Sequence, residues 1–353
     1  MTMDVRSLRS LKIKSSAEIV FMPLAVIVYI DTGRYRLPLL ILRYNLINGC
    51  MSHEQKTIPH SSTQSTLLFF PSPYFRICGK IIPMLTDEKT GVMYEYWPQA
   101  AAEPKAVLLL VHGLGAHSGR WEFLAGFMRE HSVSCYALEL RGFGQTAGVR
   151  GDIKSLDVYF ADIHTMYSLI KKTHPGKKIF LTGESLGGLL AFLTAIQAPE
   201  IFDGIICIAP AFLSRVKFSF FDYAKIYTAL LYNPAKQFYV PFETQMCTRD
   251  SEYQKMIDAD NREYRMSSAR LLFKILMAQL RALVLKNRLN TPALFLLPGN
   301  DLIVDSRTSA KVFHSLKLKD KKIIQYPDMH HALSIDLGKE QVFRDILEWI
   351  RGS

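Results

Sequence analysis

The chain has 353 residues, 49% of them hydrophobic and 21% charged, enough apolar material to bury a core without disulfides or metal. Disorder and fibrous or collagen-like composition are thereby excluded for most of its length. Net charge is +11, but residues 1–80 hold ten Lys/Arg against four Asp/Glu, and no basic stripe of the kind that reads nucleic acid follows in the remainder.

In the head, Arg6, Arg9, Lys12 and Lys14 precede an apolar run from Ile19 to Ile30 that Pro23 interrupts; a second run, Leu37 to Ile47, is broken by Arg43. Both fall short of the ~20 apolar residues that span a bilayer. A positive start before a short apolar stretch has a signal-peptide outline without a convincing cleavage site. Ile47-Asn48-Gly49-Cys50 faintly resembles a lipoprotein box, and Met51 is an alternative start. Two readings of the basic head stay open: peripheral contact with an anionic membrane or a targeting segment, and a solvated tail. From His53 to Thr66 the chain is polar and linker-like.

Order is expected from about residue 81. Val92 to Trp97 is rich in strand formers, and Ala106 to Val111 is a continuous apolar run, as in a strand buried on both faces of a parallel sheet. Helix is expected over Trp121 to His131, strand over Val133 to Leu138, helix over Ser155 to Thr173, strand over Lys178 to Thr182 and helix over Leu186 to Gln197. Strands follow at Gly204 to Ala209, Ala293 to Leu297 and Lys322 to Tyr326, then a closing helix at Gln341 to Ile350. This alternation implies an α/β protein with a doubly wound, mostly parallel sheet. Residues 212–289 break the rhythm after the sixth strand. Their spacing is helical, with Phe220, Ala224, Tyr227 and Leu231 one stripe, and no strand is evident, so the segment reads as a helical cap. The domain division is therefore a head at 1–80 and an α/β domain at 81–353 that carries the cap.

Five scattered cysteines, Cys50, Cys78, Cys135, Cys207 and Cys247, contain no CxxC. Cys135 and Cys207 sit in strand-like runs and read as buried thiols rather than as disulfide or zinc ligands. Such usage suits a reducing, cytoplasmic compartment.

The strongest chemical signal is Gly183-Glu184-Ser185-Leu186-Gly187-Gly188 between a strand and a helix. A serine on a sharp strand-to-helix turn is exposed above the sheet edge, and glycines flank it because strand and helix pass closely there. A serine hydroxyl is a weak nucleophile and needs a base and an orienting acid, which on this fold follow in the order Ser, acid, His. Asp301 follows the strand Ala293 to Leu297, and His331 follows the last strand. Asp305 reads better as a helix cap and His330 as a neighbour of the base. The oxyanion of acyl transfer needs two backbone donors, expected from Leu186 and from Leu114 in the loop His112-Gly113-Leu114-Gly115. His112 is expected to brace that loop.

The run His112 to Trp121, with Gly142 to Gly148 and the Ser185, Asp301 and His331 segments, resembles the monoacylglycerol lipase and lysophospholipase branch of the α/β-hydrolases over residues 84–353. Departures at Glu139, Phe143 and Thr146 lie outside the triad and bear on loop detail and substrate preference. The resemblance implies cofactor-free hydrolysis of a lipid ester of a fatty acid, with the apolar cap residues Phe220, Tyr227 and Leu231 as substrate contacts. A general carboxylesterase acting on short-chain or xenobiotic esters is the alternative. A non-catalytic binding protein is disfavoured because all three triad residues are present.

Overall fold

The computed structural model describes the backbone of residues 17–22, 25–31 and 36–42, and then residues 83–100 and 103–353. It divides into two units, Met1–Ser72 and Pro73–Ser353. In the first, β1 (Ala17–Met22), β2 (Ala25–Asp31) and β3 (Arg36–Leu42) pair antiparallel in chain order. The two apolar runs of the head thus supply strands, an assignment their length alone did not make. The lipoprotein-like residues, Met51 and the polar segment 53–66 lie outside the described residues.

The second unit is built on an eight-stranded sheet. In chain order its framework is β4 (Leu85–Thr86), β5 (Met93–Trp97), β6 (Ala106–Val111), α1 (Glu122–Glu130), β7 (Val133–Glu139), α2 (Asp157–Thr173), β8 (Lys178–Glu184), α3 (Leu186–Gln197) and β9 (Gly204–Ile208). An insertion then carries α4 (Phe220–Tyr232), β10 (Gln237–Tyr239), α5 (Thr244–Cys247), α6 (Ser251–Ala259), β11 (Met266–Ser268) and α7 (Ala269–Leu285). The framework resumes with β12 (Ala293–Pro298), α8 (Ser306–Ser315), β13 (Lys321–Tyr326) and α9 (Lys339–Gly352). Strand order across the sheet is β13-β12-β9-β8-β6-β7-β5-β4, with only β5 and β4 antiparallel to their neighbours.

The continuous apolar reading of β6 has a simple cause. Side chains alternate across a sheet, so Val107, Leu109 and Val111 enter one core with α2, α3 and α8, while Leu108 and Leu110 enter another with α1 and α9. A sheet covered on both faces leaves its chemistry to its edges. After β6 the chain first builds β7 on one side and then returns to place β8 on the other. The crevice at such a switch point, outside the carboxyl ends of the strands, is where open α/β sheets bind ligands.

The insertion departs from the sequence reading at two points. It contains a short antiparallel strand pair, β10 with β11, whose three-residue strands are too short for alternation to be legible. In α4 the spacing correctly indicates helix, but the stripe of Phe220, Tyr227 and Leu231 faces solvent. Ile226 and Ala229, on the other side of the helix, pack with Phe238 and Ala269. Among the described residues no helix is long and apolar enough to cross a membrane.

Candidate active site

Ser185 follows β8 directly and precedes α3, with φ 58° and ψ −116°. A non-glycine residue in this region stores about 1–3 kcal/mol of backbone strain and persists only where its surroundings over-determine it. They do so here. Its amide donates to Ile208 O at 2.9 Å, and its carbonyl accepts from Leu189 and Ala211. A Cβ on Gly183 would collide with the Gly187 backbone, and one on Gly187 with the Val111 carbonyl. The glycine spacing is therefore set by how closely β8, α3 and β6 pass.

The loop after β6 runs beside the serine: a Cβ on Gly113 would stand 3.1 Å from Ser185 Cβ and 3.7 Å from its Oγ. His112 pins this loop. Its Nδ1 lies 2.8 Å from Gly113 O, and its Nε2 accepts from Leu140 N at 3.0 Å. The same Nε2 lies 3.2 Å from Glu139 Oε1. Leu114 is half-buried in this loop. Leu186, 2% exposed, opens α3, so its amide is one of the helix's four N-terminal donors without an intrahelical partner.

Asp301 and His331 come from the loops after β12 and β13, at the same sheet edge, and are 1% and 5% exposed. Asp301 Oδ1 accepts from the amides of Ile303 and Val304, both at 2.8 Å, and Oδ2 lies 2.8 Å from His331 Nδ1. A carboxylate only accepts, so Nδ1 donates and Nε2 is left free to act as a base. Burial lowers the imidazole's proton affinity, but the Asp301 carboxylate, its hydrogen bond and the Glu184 carboxyl outweigh it and hold the pKa above the ordinary 6.5. No hydrogen bond joins Ser185 Oγ to His331 among the described residues. Asp305 caps α8 by accepting from Thr308 N, and His330 Nδ1 lies 2.9 Å from Gln245 O.

Three features were not singled out from the sequence. The insertion is fastened to the loop after β6: Tyr264 N donates to Gly115 O at 2.8 Å, Arg120 Nε to Glu263 Oε1 at 2.6 Å, and His117 Nε2 lies 3.1 Å from Asp260 Oδ2. It is fastened to the turn that carries His331 through Ala332 N to Cys247 O and Arg249 to Asp336. Finally, Glu184 bonds to Ser334. Long-range pairs of this kind have no spacing signature, although Arg120 stands inside the motif already quoted. Phe220 and Leu231 are 81% and 71% exposed, and Tyr227 is less so; all three lie at the surface of α4.

A mostly parallel sheet covered by helices, with a serine on a strained turn at its switch point, defines an α/β-hydrolase. Residues 102–338 match the family model of the serine aminopeptidases, S33, and the chain belongs to that family. It is 28% identical over 263 residues to monoglyceride lipase of Homo sapiens, covering 72% of this chain and 85% of that protein. It is 25% identical to phospholipase YtpA of Bacillus subtilis (strain 168), covering 70% and 96%. The crystal structure of Paleococcus ferrophilus monoacylglycerol lipase superposes with a TM-score of 0.66 at 26% identity, over 73% of this chain and 97% of that one.

Proposed function

We propose that the protein is a serine hydrolase that cleaves fatty-acyl esters, with monoacylglycerol or lysophospholipid as substrate and an acyl-enzyme as intermediate. The observation that carries this reading is the buried 2.8 Å Asp301–His331 pair on the same sheet edge as the strained Ser185. The similarity to a monoglyceride lipase and a phospholipase supports the lipid substrate over a short-chain ester.

Ser185 Oγ attacks the ester carbonyl as His331 Nε2 takes its proton; Asp301 keeps the imidazole in the required tautomer and stabilises the cation. The amides of Leu114 and Leu186 receive the oxyanion. His331 then returns the proton to the departing alcohol, and a water activated by the same Nε2 releases the fatty acid. The apolar stripe of α4, with Phe220, Tyr227 and Leu231, receives the acyl chain, each buried methylene contributing about 0.8 kcal/mol. Peripheral contact with anionic membranes belongs to the same reading and rests on the basic head; flotation with liposomes of neutral and anionic composition tests it.

Ser185→Ala is expected to abolish monoacylglycerol cleavage and fluorophosphonate labelling while leaving the circular dichroism and melting curve intact. Turnover retained in that variant discards the reading. Preference for short over long acyl groups in p-nitrophenyl ester profiling would favour the general carboxylesterase.

A further inference from the structure

We infer that Glu184 is a positioning residue for the proposed reaction: its carboxyl group fastens the turn bearing His331 to the turn bearing Ser185 and places a second acidic group in the surroundings of the imidazole. The inference rests on the assignment of Ser185 as nucleophile and His331 as base.

Glu184 is the last residue of β8, immediately before Ser185, and is 6% exposed. Both of its oxygens are used. Oε1 accepts from Ser334 N at 3.1 Å and Oε2 from Ser334 Oγ at 2.9 Å. Ser334 is 1% exposed and lies three residues beyond His331 in one tight turn, where Ile335 N and Asp336 N both return to Ala332 O. A rigid strand end thus grips the turn from inside, 150 residues away in sequence. Glu184 occupies the variable position of the Gly-x-Ser-x-Gly pattern, where backbone geometry requires no carboxylate. Burying a carboxyl group is unfavourable unless it is bonded, and both bonds go to the turn that carries the base.

The charged and titratable groups that act on the imidazole come from three elements. Asp301, after β12, and Glu184, at the end of β8, stabilise its protonated form; Arg120, after β6, opposes them and is itself paired with Glu263. Cys247 of the insertion lies in the field of both Arg120 and Glu184. Burial raises the pKa of Glu184 itself, an effect that His331 and the bonds from Ser334 counter. A carboxylate beside the imidazole stabilises the cation that forms during acyl transfer, and the same bonds hold Nε2 in place. A residue that serves only as glue would do the second without the first.

The test is steady-state kinetics of the full chain on a monoacylglycerol across the acid and neutral range, with fluorophosphonate labelling beside it. Glu184→Gln keeps an acceptor for Ser334 but loses the charge. Removing an anion disfavours the imidazolium, so the acid limb of kcat/KM is expected to move to lower pH by about 0.5 unit or more. kcat should fall on the order of 10-fold with little change in KM. Ser334→Ala keeps the charge and loses one bond; its kcat should fall with the acid limb in place. An unshifted limb in folded Glu184→Gln overturns the inference. Should Glu184→Gln give no cooperative melt, wild-type kcat in Ser334→Ala overturns it instead. Wild-type enzyme that neither labels at Ser185 nor cleaves ester refutes the assignment beneath it, a result distinct from labelled, active enzyme whose variants behave as wild type.

Discussion

Glu95 on β5 is 7% exposed, and burial pushes its carboxyl up to about 7; the bond to Ser118 opposes this and the nearby Glu139 charge adds to it. The bonding pattern accommodates the extra proton. Ser118 Oγ lies 2.9 Å from Glu95 Oε1 and 3.0 Å from Glu139 Oε2, but a hydroxyl has one hydrogen and can donate to only one of them. With Glu95 protonated, the acid donates to Ser118 and Ser118 donates to Glu139. The folded state therefore binds this proton more tightly than the unfolded chain, whose carboxyl titrates near 4.5. The resulting contribution, about 3 kcal/mol, is fully present below about 4.5 and is lost as pH rises through about 7. Glu95→Gln, which donates at any pH, is expected to flatten that slope and to raise the melting temperature at alkaline pH. Urea unfolding at several pH values checks both, and a wild-type slope in the variant contradicts the proton assignment. His331 has the opposite charge type. Its imidazole is held above 6.5 and serves as a base only when neutral, so kcat/KM should rise with pH through a midpoint above 6.5. Asp301→Asn should lower that midpoint and reduce kcat by about 10⁴-fold through the wrong tautomer; a variant within 10-fold of wild type would remove Asp301 from the role.

At the scale of elements, β6, β9 and β12 were legible because strands buried on both faces are continuous apolar runs, and Gly183 and Gly187 mark the turn because backbone contact leaves no alternative there. Helix α4 was legible as a helix but not in its orientation. It carries Phe220, Tyr227 and Leu231 on one side and Ile226, Ala229 and Leu230 on the other, so periodicity cannot choose which side packs, and Phe238 and Leu272 make the choice from elsewhere in the chain. The same holds for the fastenings of the insertion. Arg120 is almost wholly buried; burial disfavours its charge, but Glu263 more than restores it. Removing one member of such a pair leaves an uncompensated buried charge. Glu263→Ala is therefore expected to cost about 3 kcal/mol or more, whereas Arg120→Met combined with Glu263→Leu should recover most of that loss. Because Tyr264 also bonds to Gly115 beside Leu114, the single variant should lower kcat as well as stability. A double variant no more stable than the single one would refute the account of the pair.

Across the whole molecule, the two large cores draw their buried residues from between Val92 and Ile350, and the family match lies inside that span at 102–338. The unit beginning at Pro73 thus holds both faces of its sheet, every proposed catalytic group and each fastening of the insertion. A domain with its own closed core folds by itself. A chain cut to begin at Pro73 is expected to melt cooperatively within about 2 °C of the full chain and to cleave a soluble short-chain ester at the same rate. Its behaviour toward lipid separates two contributions that a soluble substrate cannot distinguish. Removing residues 1–72 takes away eight of the head's ten Lys/Arg and its four Asp/Glu without touching the apolar stripe of α4. If the head delivers the enzyme to anionic surfaces, the deficit of the cut chain relative to the full chain on anionic vesicles should widen as salt is lowered, where electrostatic attraction is strongest, and the two should match on neutral ones. Equal rates on both surfaces would assign interfacial contact to the hydrolase unit itself, and loss of the cooperative melt would show that its core depends on the first unit.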